Sequence, residues 1–160
     1  MSAEYSVAIP QTVQPNQPII YTDSPCPCRE GLIFKKSGGV FLLASNAPRT
    51  NGCACGCGCR RVYETSYEAE VHANIEVPAD GEVEEIRLAI AVDGVIDPAS
   101  VMQYTPSDAE VAGNVGTSII VTVPSICGCD NVAIVNASEQ PITVNNSSLV
   151  FDYAGVRRIA

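Results

Sequence analysis

The chain has 160 residues, of which 46% are hydrophobic and 17% are charged, and its formal net charge is −9. This length fits a single domain, and the apolar content is sufficient for a hydrophobic core, which argues against global disorder. The negative charge argues against nucleic acid and anionic membrane surfaces as partners, because both bind to basic faces.

The N-terminal sequence MSAEYSVAIP has neither the basic region nor the apolar segment of a secretory signal. No apolar run approaches the ~20 residues that a membrane helix requires. We therefore expect synthesis and folding in a cytoplasm, where disulfides are normally kept reduced. Eight cysteines are unusual there. Either the thiols bind metal, or they oxidise after release from the cell, or the sequence start misses a leader.

The N-terminal third is rich in proline, with Pro10, Pro15, Pro18, Pro25 and Pro27. Proline favours extended chain and limits pairing to sheet edges. We therefore predict an extended N-terminal arm over residues 1–18 and a single domain over residues 19–160. Short strands are expected at Thr12–Tyr21, Gly31–Lys35 and Gly39–Ala44, before a cysteine-rich loop at about residues 46–60.

From residue 63 to residue 77, small or apolar residues alternate with polar ones, which predicts a long strand with one buried face. An apolar row at 86–92 leads into a hairpin turn at Asp93-Gly94. Further strands are expected at Gly116–Val123, Asn131–Asn136, Ile142–Asn146 and Ser148–Tyr153. About eight to ten short antiparallel strands predict an all-β jelly-roll sandwich.

Catalytic groups are scarce in this sequence. His72 is the single histidine and lies on the polar face of the long strand, beside Glu68 and Glu70. A Ser-His-acid or Cys-His unit would have to use it. A solvated strand histidine is the simpler interpretation, and the carboxylates at 82–85 fit a charged strand end. We predict no enzymatic activity and no catalytic residue.

The cysteines are the one anomalous feature. They are Cys26, Cys28, Cys53, Cys55, Cys57, Cys59, Cys127 and Cys129. Thiolates at C-x-C spacing can converge on one side of a loop, which suits structural zinc or another soft metal such as Cu(I). Disulfides between loops fit as well, whereas a C-x-C disulfide closes a strained ring. We predict that these residues cross-link the loops at one pole of the sandwich, either through disulfides or through a bound metal, with no other cofactor required. Each disulfide would stabilise the folded state by ~2–4 kcal/mol.

The second half of the chain resembles a known group of proteins. It contains RLAIAVDGVIDPAS, GTSIIVTVPS and DNVAIVNASEQPITVNNSSLVFDYAG. These segments resemble the compact trimeric jelly rolls of the tumour-necrosis-factor-like and complement-head-like type found in bacteria and their viruses. The opening YSVAIPQTVQPNQPIIYTDSPCPC, followed by REGLIFKKSGGVFLL, is similar to small proteins of Firmicutes and their phages. The insertion NAPRTNGCACGCGC departs from the plainer members, so the resemblance does not account for its cysteines.

The resemblance implies a structural, non-enzymatic protein that assembles as a homotrimer. We expect a phage capsid decoration or head-fibre protein, displayed on the virion surface after cytoplasmic assembly, with its arm docked on a capsid or fibre neighbour. Two alternatives stay open: a subunit of a disulfide-cross-linked spore-surface, cell-surface or extracellular fibre, and a cysteine-rich metal-binding module. The candidate interface residues are Tyr63, Tyr67, Tyr104, Phe151 and Tyr153. These aromatic side chains fit the core of a sandwich equally well.

Overall fold

The computed structural model describes residues 2–28, 32–46, 63–124 and 129–159. The strands in these residues are β1 (Ser2–Val7), β2 (Gln11–Val13), β3 (Asp23–Cys26), β4 (Ile33–Lys35), β5 (Val40–Ala44), β6 (Tyr63–Glu76), β7 (Ile86–Val92), β8 (Val95–Ile96), β9 (Met102–Tyr104), β10 (Gly113–Pro124), β11 (Cys129–Asn136) and β12 (Ile142–Arg158). Short 3-10 turns occupy Ser37–Gly39 and Pro98–Ser100. Over the same described ranges, no helix has the length and apolar character needed to cross a membrane.

The strands form two antiparallel sheets. Sheet A has the order β10-β6-β12-β1-β3, and β2 also pairs with β12. Sheet B has the order β4-β5-β11-β7-β8, and β9 also pairs with β7. The predicted all-β jelly-roll sandwich is confirmed. The strands outnumber the predicted eight to ten because short segments such as β2, β8 and β9 pair separately with the ends of longer strands.

β6 is the long alternating strand that the sequence predicts. It runs over Tyr63–Glu76 and pairs with β10 on one side and β12 on the other. Tyr67, Val71 and Ile75 are buried, whereas Glu68 and Glu70 between them are exposed. The strict alternation therefore places one face of β6 in the core and the other in water, as expected for a half-buried strand.

The core between the sheets is centred on aromatic rings. Phe41 of β5 lies with its ring centroid 4.5 Å from that of Tyr5, 5.7 Å from that of Tyr21 and 5.4 Å from that of Phe151. Phe41 belongs to sheet B, and Tyr5 and Phe151 belong to sheet A. Tilted and edge-on ring pairs are the favourable arrangements of aromatic side chains. These rings therefore join the two sheets at the middle of the sandwich.

The C-terminal strand differs from its prediction. We expected separate strands at Ile142–Asn146 and Ser148–Tyr153, but β12 is one strand of 17 residues, Ile142–Arg158. Its pairing with β6 shifts register between Val144 and Asn146 and again between Tyr153 and Gly155. Such bulges interrupt the alternation of side chains without ending the strand, so the sequence pattern breaks where the strand continues.

The N-terminal segment also differs from its prediction. Residues 2–13 belong to the sandwich, since β1 is an inner strand of sheet A and Ala3, Tyr5 and Val7 are buried. Pro10 lies in the connection between β1 and β2, so its missing N–H group does not interrupt the pairing of either strand. Pro25 does lie in an edge strand, β3, as expected. A boundary between an arm and a domain at residue 18 therefore does not match the packing.

Deletion of residues 2–9 should abolish cooperative folding. The deletion removes β1 from between β12 and β3 and uncovers Phe41 and Phe151, which Tyr5 contacts. Urea unfolding followed by near-UV circular dichroism measures the effect. Deletion of residues 159–160 is the control, because Ile159 follows the end of β12. A deletion variant with the unfolding midpoint of the full chain would show that the segment is a dispensable arm.

Candidate functional site

The described cysteines lie toward one end of the sandwich. Cys26 ends β3 and Cys28 follows it, while Cys129 begins β11. Cys129 is the register partner of Ala44, whose carbonyl accepts a hydrogen bond of 2.6 Å from the Tyr67 hydroxyl. Cys28 packs against the core, and Cys26 and Cys129 carry exposed free thiols. We call the end of the sandwich that carries Cys28, Ala44, Tyr67 and Cys129 the thiol pole.

The residues that border the three internal gaps between the described ranges lie at the same pole. The Leu32 carbonyl accepts a hydrogen bond of 2.8 Å from the amide of Ala44. The Asn46 amide donates to the Thr65 hydroxyl at 2.9 Å. Pro124 ends β10 opposite the start of β6. The described residues next to the stretches that contain Cys53–Cys59 and Cys127 therefore lie at the thiol pole, together with Cys28 and Leu32.

The remaining cysteines, Cys53, Cys55, Cys57, Cys59 and Cys127, lie outside the described residues, as does most of the cysteine-rich loop. Within ranges 2–28, 32–46, 63–124 and 129–159, no three or more His, Cys, Asp or Glu side chains form a group that could hold a metal ion. The cross-link between these loops, by disulfides or by a metal, therefore stays a prediction.

Two tyrosines at the core lie close to the described thiols. Burial, together with Cys28 and Tyr153, raises the pKa of Tyr67 to about 12. Burial, together with Cys28 and Cys26, also raises the pKa of Tyr5. An apolar environment disfavours the charged phenolate, and neighbouring anions disfavour it further. Both hydroxyls are therefore protonated near neutral pH, which keeps Tyr67 able to donate its hydrogen bond to Ala44.

His72 lies on the solvent face of β6, as predicted. Its Nε2 atom is 2.8 Å from the Glu70 carboxylate, and its ring lies over the backbone of Gly116 on the neighbouring strand. A side chain at position 116 would collide with this ring, since a Cβ there would stand 2.6 Å from His72 Nδ1. The histidine ring therefore occupies the space where a side chain at position 116 would stand, and it contacts one exposed carboxylate, that of Glu70.

The solvent face of sheet A is acidic. Glu68 of β6 and Asp152 of β12 are register partners, and Glu70 lies opposite Val150, whose other register partner is Glu4. All four carboxylate side chains are exposed. Like charges directly opposite each other across a strand pair are destabilising. We call the surface formed by Glu4, Glu68, Glu70 and Asp152 the acidic face, and it disfavours contact with another acidic chain.

β10 forms one edge of sheet A and has an unusual composition. Its 12 residues, GNVGTSIIVTVP, include no charged side chain. Ile120, on the solvent face of this strand, is 56% exposed. Edge strands that stay free in solution are usually short or carry charges that prevent further pairing. A long, uncharged edge with an exposed isoleucine is therefore a candidate contact surface, which we call the β10 edge.

The middle of the solvent face of sheet B is apolar instead of acidic. Val40, Ala133, Ala91 and Ile96 follow one another in register across β5, β11, β7 and β8. Antiparallel sheets usually alternate apolar inward side chains with polar outward ones. We call this surface, together with the neighbouring Phe34–Leu42 pair, the apolar face. The sequence pattern did not predict it, because β5, β7 and β11 are apolar on both faces.

The five aromatic residues expected at an interface separate into two groups. Tyr67 and Phe151 are fully buried within the single chain, so they fill the core and are not available at its surface. Tyr63, Tyr104 and Tyr153 are half-buried. The Tyr104 ring lies against Gly113, and the Tyr153 ring packs edge-on against Tyr67 at 6.0 Å. Tyr67 and Phe151 therefore fit the alternative interpretation, in which the rings fill the core of the sandwich.

Comparison with known proteins identifies the fold. No family model and no curated protein matches the sequence. The chain is similar to the structure of Eiger TNF from S. frugiperda, with a TM-score of 0.59 and 9% identity over 100% of this chain and 92% of that chain. A globular domain of zebrafish complement 1qA protein has a TM-score of 0.49, with 12% identity over 95% and 94% of the two chains. A family 35 carbohydrate-binding module from Clostridium thermocellum has a TM-score of 0.36, with 12% identity over 93% and 97%. The chain has a TNF-like jelly-roll fold.

Substitution of Tyr67 by Phe should cost about 1 kcal/mol of stability at pH 7, because the Ala44 carbonyl loses its hydrogen-bond donor. The cost should shrink between about pH 10 and about pH 12. In the original chain the pKa of Tyr67 is raised by folding, so its stabilising effect is complete below the unfolded pKa of about 10 and is lost as the pH rises through the folded pKa of about 12.

Urea unfolding at several pH values measures this difference. Tyr153→Phe is the matched control, since its ring packs on Tyr67 but the bond to Ala44 stays in place. If Tyr67→Phe lowered the free energy of unfolding equally at pH 7 and at pH 12, burial would not raise the pKa of Tyr67 as described.

Proposed function

We propose that this chain is a non-enzymatic structural module that assembles as a homotrimer. Its fold is that of TNF-like jelly rolls, which commonly form homotrimers. A closed ring of three identical copies repeats one heterologous contact three times, so each copy needs a surface that a neighbour covers. The observation that carries the proposal is the β10 edge, which is long, uncharged and partly apolar.

The charges of sheet A support this placement of the contact. The register partner of Ile120 is Glu68, which begins the acidic face. Two copies that met through the centre of that face would bring Glu68, Glu70 and Asp152 of each copy together at a high electrostatic cost. Contact at the β10 edge covers the apolar Ile120 and leaves most of these carboxylates in water.

At a finer level, we propose that the trimer is displayed on the surface of a phage virion, as a capsid decoration or head-fibre protein. The resemblance of residues 5–28 and 29–43 to small proteins of Firmicutes and their phages supports this role. The net charge of −9 suits a protein exposed at high local density, because it keeps the displayed surface soluble.

The exposed thiols favour a second candidate function, a subunit of a disulfide-cross-linked fibre on a spore or cell surface. Cys26 and Cys129 are exposed on different sheets, at β3 and β11. Thiols on two sheets could link one copy to two neighbours, which a chain of covalently joined subunits requires. Wild-type protein and a Cys26→Ser/Cys129→Ser variant, compared on gels with and without reductant, separate the two functions.

For a decoration protein, we expect a trimer whose mass does not change with reductant and no ladder of covalent multimers. A ladder that reductant removes, and that the double variant lacks, would favour the fibre and overturn the virion role. Intact mass under native conditions would also reveal zinc or another soft metal bound by the thiols.

Substitution of Ile120 by Lys should dissociate the trimer and leave the monomer folded. The side chain is exposed in the single chain, so the substitution does not disturb the core, but the contact would have to remove a lysine ammonium from water, at a cost that the neighbouring Glu68 does not offset in full. Sedimentation equilibrium should give three times the 16.8 kDa chain mass for wild type and a smaller species for the variant.

Val83→Lys is the matched control, since Val83 is also exposed but lies between β6 and β7, away from the β10 edge. It should leave the trimer intact. A wild-type monomer would overturn the homotrimer, and a stable Ile120→Lys trimer would overturn the placement of its contact.

A further inference from the structure

The apolar face of sheet B contains a groove. The groove has a volume of about 220 Å³ and is lined in part by Ala91, Gly94 and Ala133, between the larger Val40 and Ile96. Alanine and glycine allow another surface to approach the sheet closely. No residue that lines the groove carries a charge. The groove is therefore suited to an apolar side chain and offers no ion pair to a charged ligand.

An exposed apolar side chain stands on the same face as this groove. Phe34, on the edge strand β4, is 45% exposed and is the register partner of Leu42, which alternates with the buried Phe41 and Leu43. A two-fold contact between identical chains requires that one surface carry both the protruding and the receiving parts. The apolar face has both, because its groove and the protruding Phe34 lie on the same face of sheet B.

The charge of the chain indicates which occupant fits best. Two copies with a net charge of −9 each repel one another, so they approach most easily through surfaces with few carboxylates. Asp93 is the carboxylate beside the groove, where it accepts hydrogen bonds from Asn131, and the Lys36 ammonium donates to the side chain of the same Asn131. The acidic face lies on sheet A, on the opposite side of the sandwich from the groove. The groove side therefore allows a second copy to bind with its acidic face directed away from the contact.

We propose that the apolar face binds the apolar face of a second copy of this chain through a two-fold contact. This contact is separate from the β10 edge, which belongs to the other sheet, so one chain can make both. A trimer would present three apolar faces, and trimers joined through them would form larger assemblies. The two-fold contact itself does not depend on the proposed trimer.

The experiment isolates this contact in the Ile120→Lys background, where the trimer is expected to be absent. Sedimentation equilibrium over a range of protein concentrations should show a reversible monomer–dimer equilibrium. Phe34→Ser in this background should raise the dissociation constant about tenfold per copy, and therefore about a hundredfold in a two-fold contact, where each substitution acts twice. Ala133→Arg, which fills the groove, should abolish the dimer.

Ile9→Ser is the matched control, because Ile9 is 70% exposed but lies in the connection between β1 and β2. It should leave the dimer unchanged. Circular dichroism and urea unfolding check that each variant is folded. An Ile120→Lys chain that is monomeric at its highest soluble concentration would overturn the proposal, as would a dimer that both Phe34→Ser and Ala133→Arg leave intact.

Ionic strength gives a second readout. Raising it from about 0.05 M to about 0.5 M should strengthen the dimer, because salt screens the repulsion between two acidic chains and leaves the apolar contact in place. A dimer weakened by salt would indicate an ion-paired contact and would contradict the proposal.

Wild-type protein distinguishes the two contacts. Species larger than a trimer that disappear in Phe34→Ser and leave trimers behind support both. Trimers alone contradict only the two-fold contact, and dimers alone contradict only the trimer.

Discussion

The pairing of β6 with β12 is the constraint on which the rest of sheet A depends. These strands are 14 and 17 residues long, and β10, β1 and β2 all pair with one or the other. Side chains alternate between the two faces of a strand, so a register slip of one residue would turn Glu68 and Glu70 into the core. Burial of unpaired carboxylates is costly enough to exclude that alternative. The register that buries Tyr67 and Phe151 is therefore the one that places the acidic face in water.

The outer faces of the two sheets differ in charge, although the inner faces of both are apolar. Both sheets bury one apolar face, but sheet A exposes carboxylates, whereas sheet B exposes Phe34 and carries the half-buried Val40 and Ile96 on its outer face. An outward apolar row is unusual for an antiparallel sheet, where the outer positions are normally polar. Together with the uncharged β10 edge, it gives the molecule two surfaces of low charge on different sheets. These are the surfaces on which the proposed assembly rests.

The thiol pole shows how topology adds to a sequence pattern. Three groups of cysteines lie far apart along the chain, around positions 26, 53–59 and 127. The described residues that border these stretches, including Cys28, Asn46 and Cys129, meet at one end of the sandwich. Spacing alone suggested that the groups could converge, but convergence depends on which strands end at the same pole. Antiparallel pairing of β5 with β11 and of β6 with β10 brings these strand ends together.

The sequence alone was sufficient to predict an all-β sandwich and the strand at 63–77, because strict alternation is a local pattern that one half-buried strand imposes on its own residues. It did not reveal that Ser2–Val7 is an inner strand, since that depends on partners at Ser147–Asp152, almost the whole chain away. It also left Tyr67 and Phe151 open between core and interface. Alternation shows that a face is buried, but not what covers it. Only the tertiary structure decides that, because long-range pairing and the packing of one sheet on the other select the partners of each face.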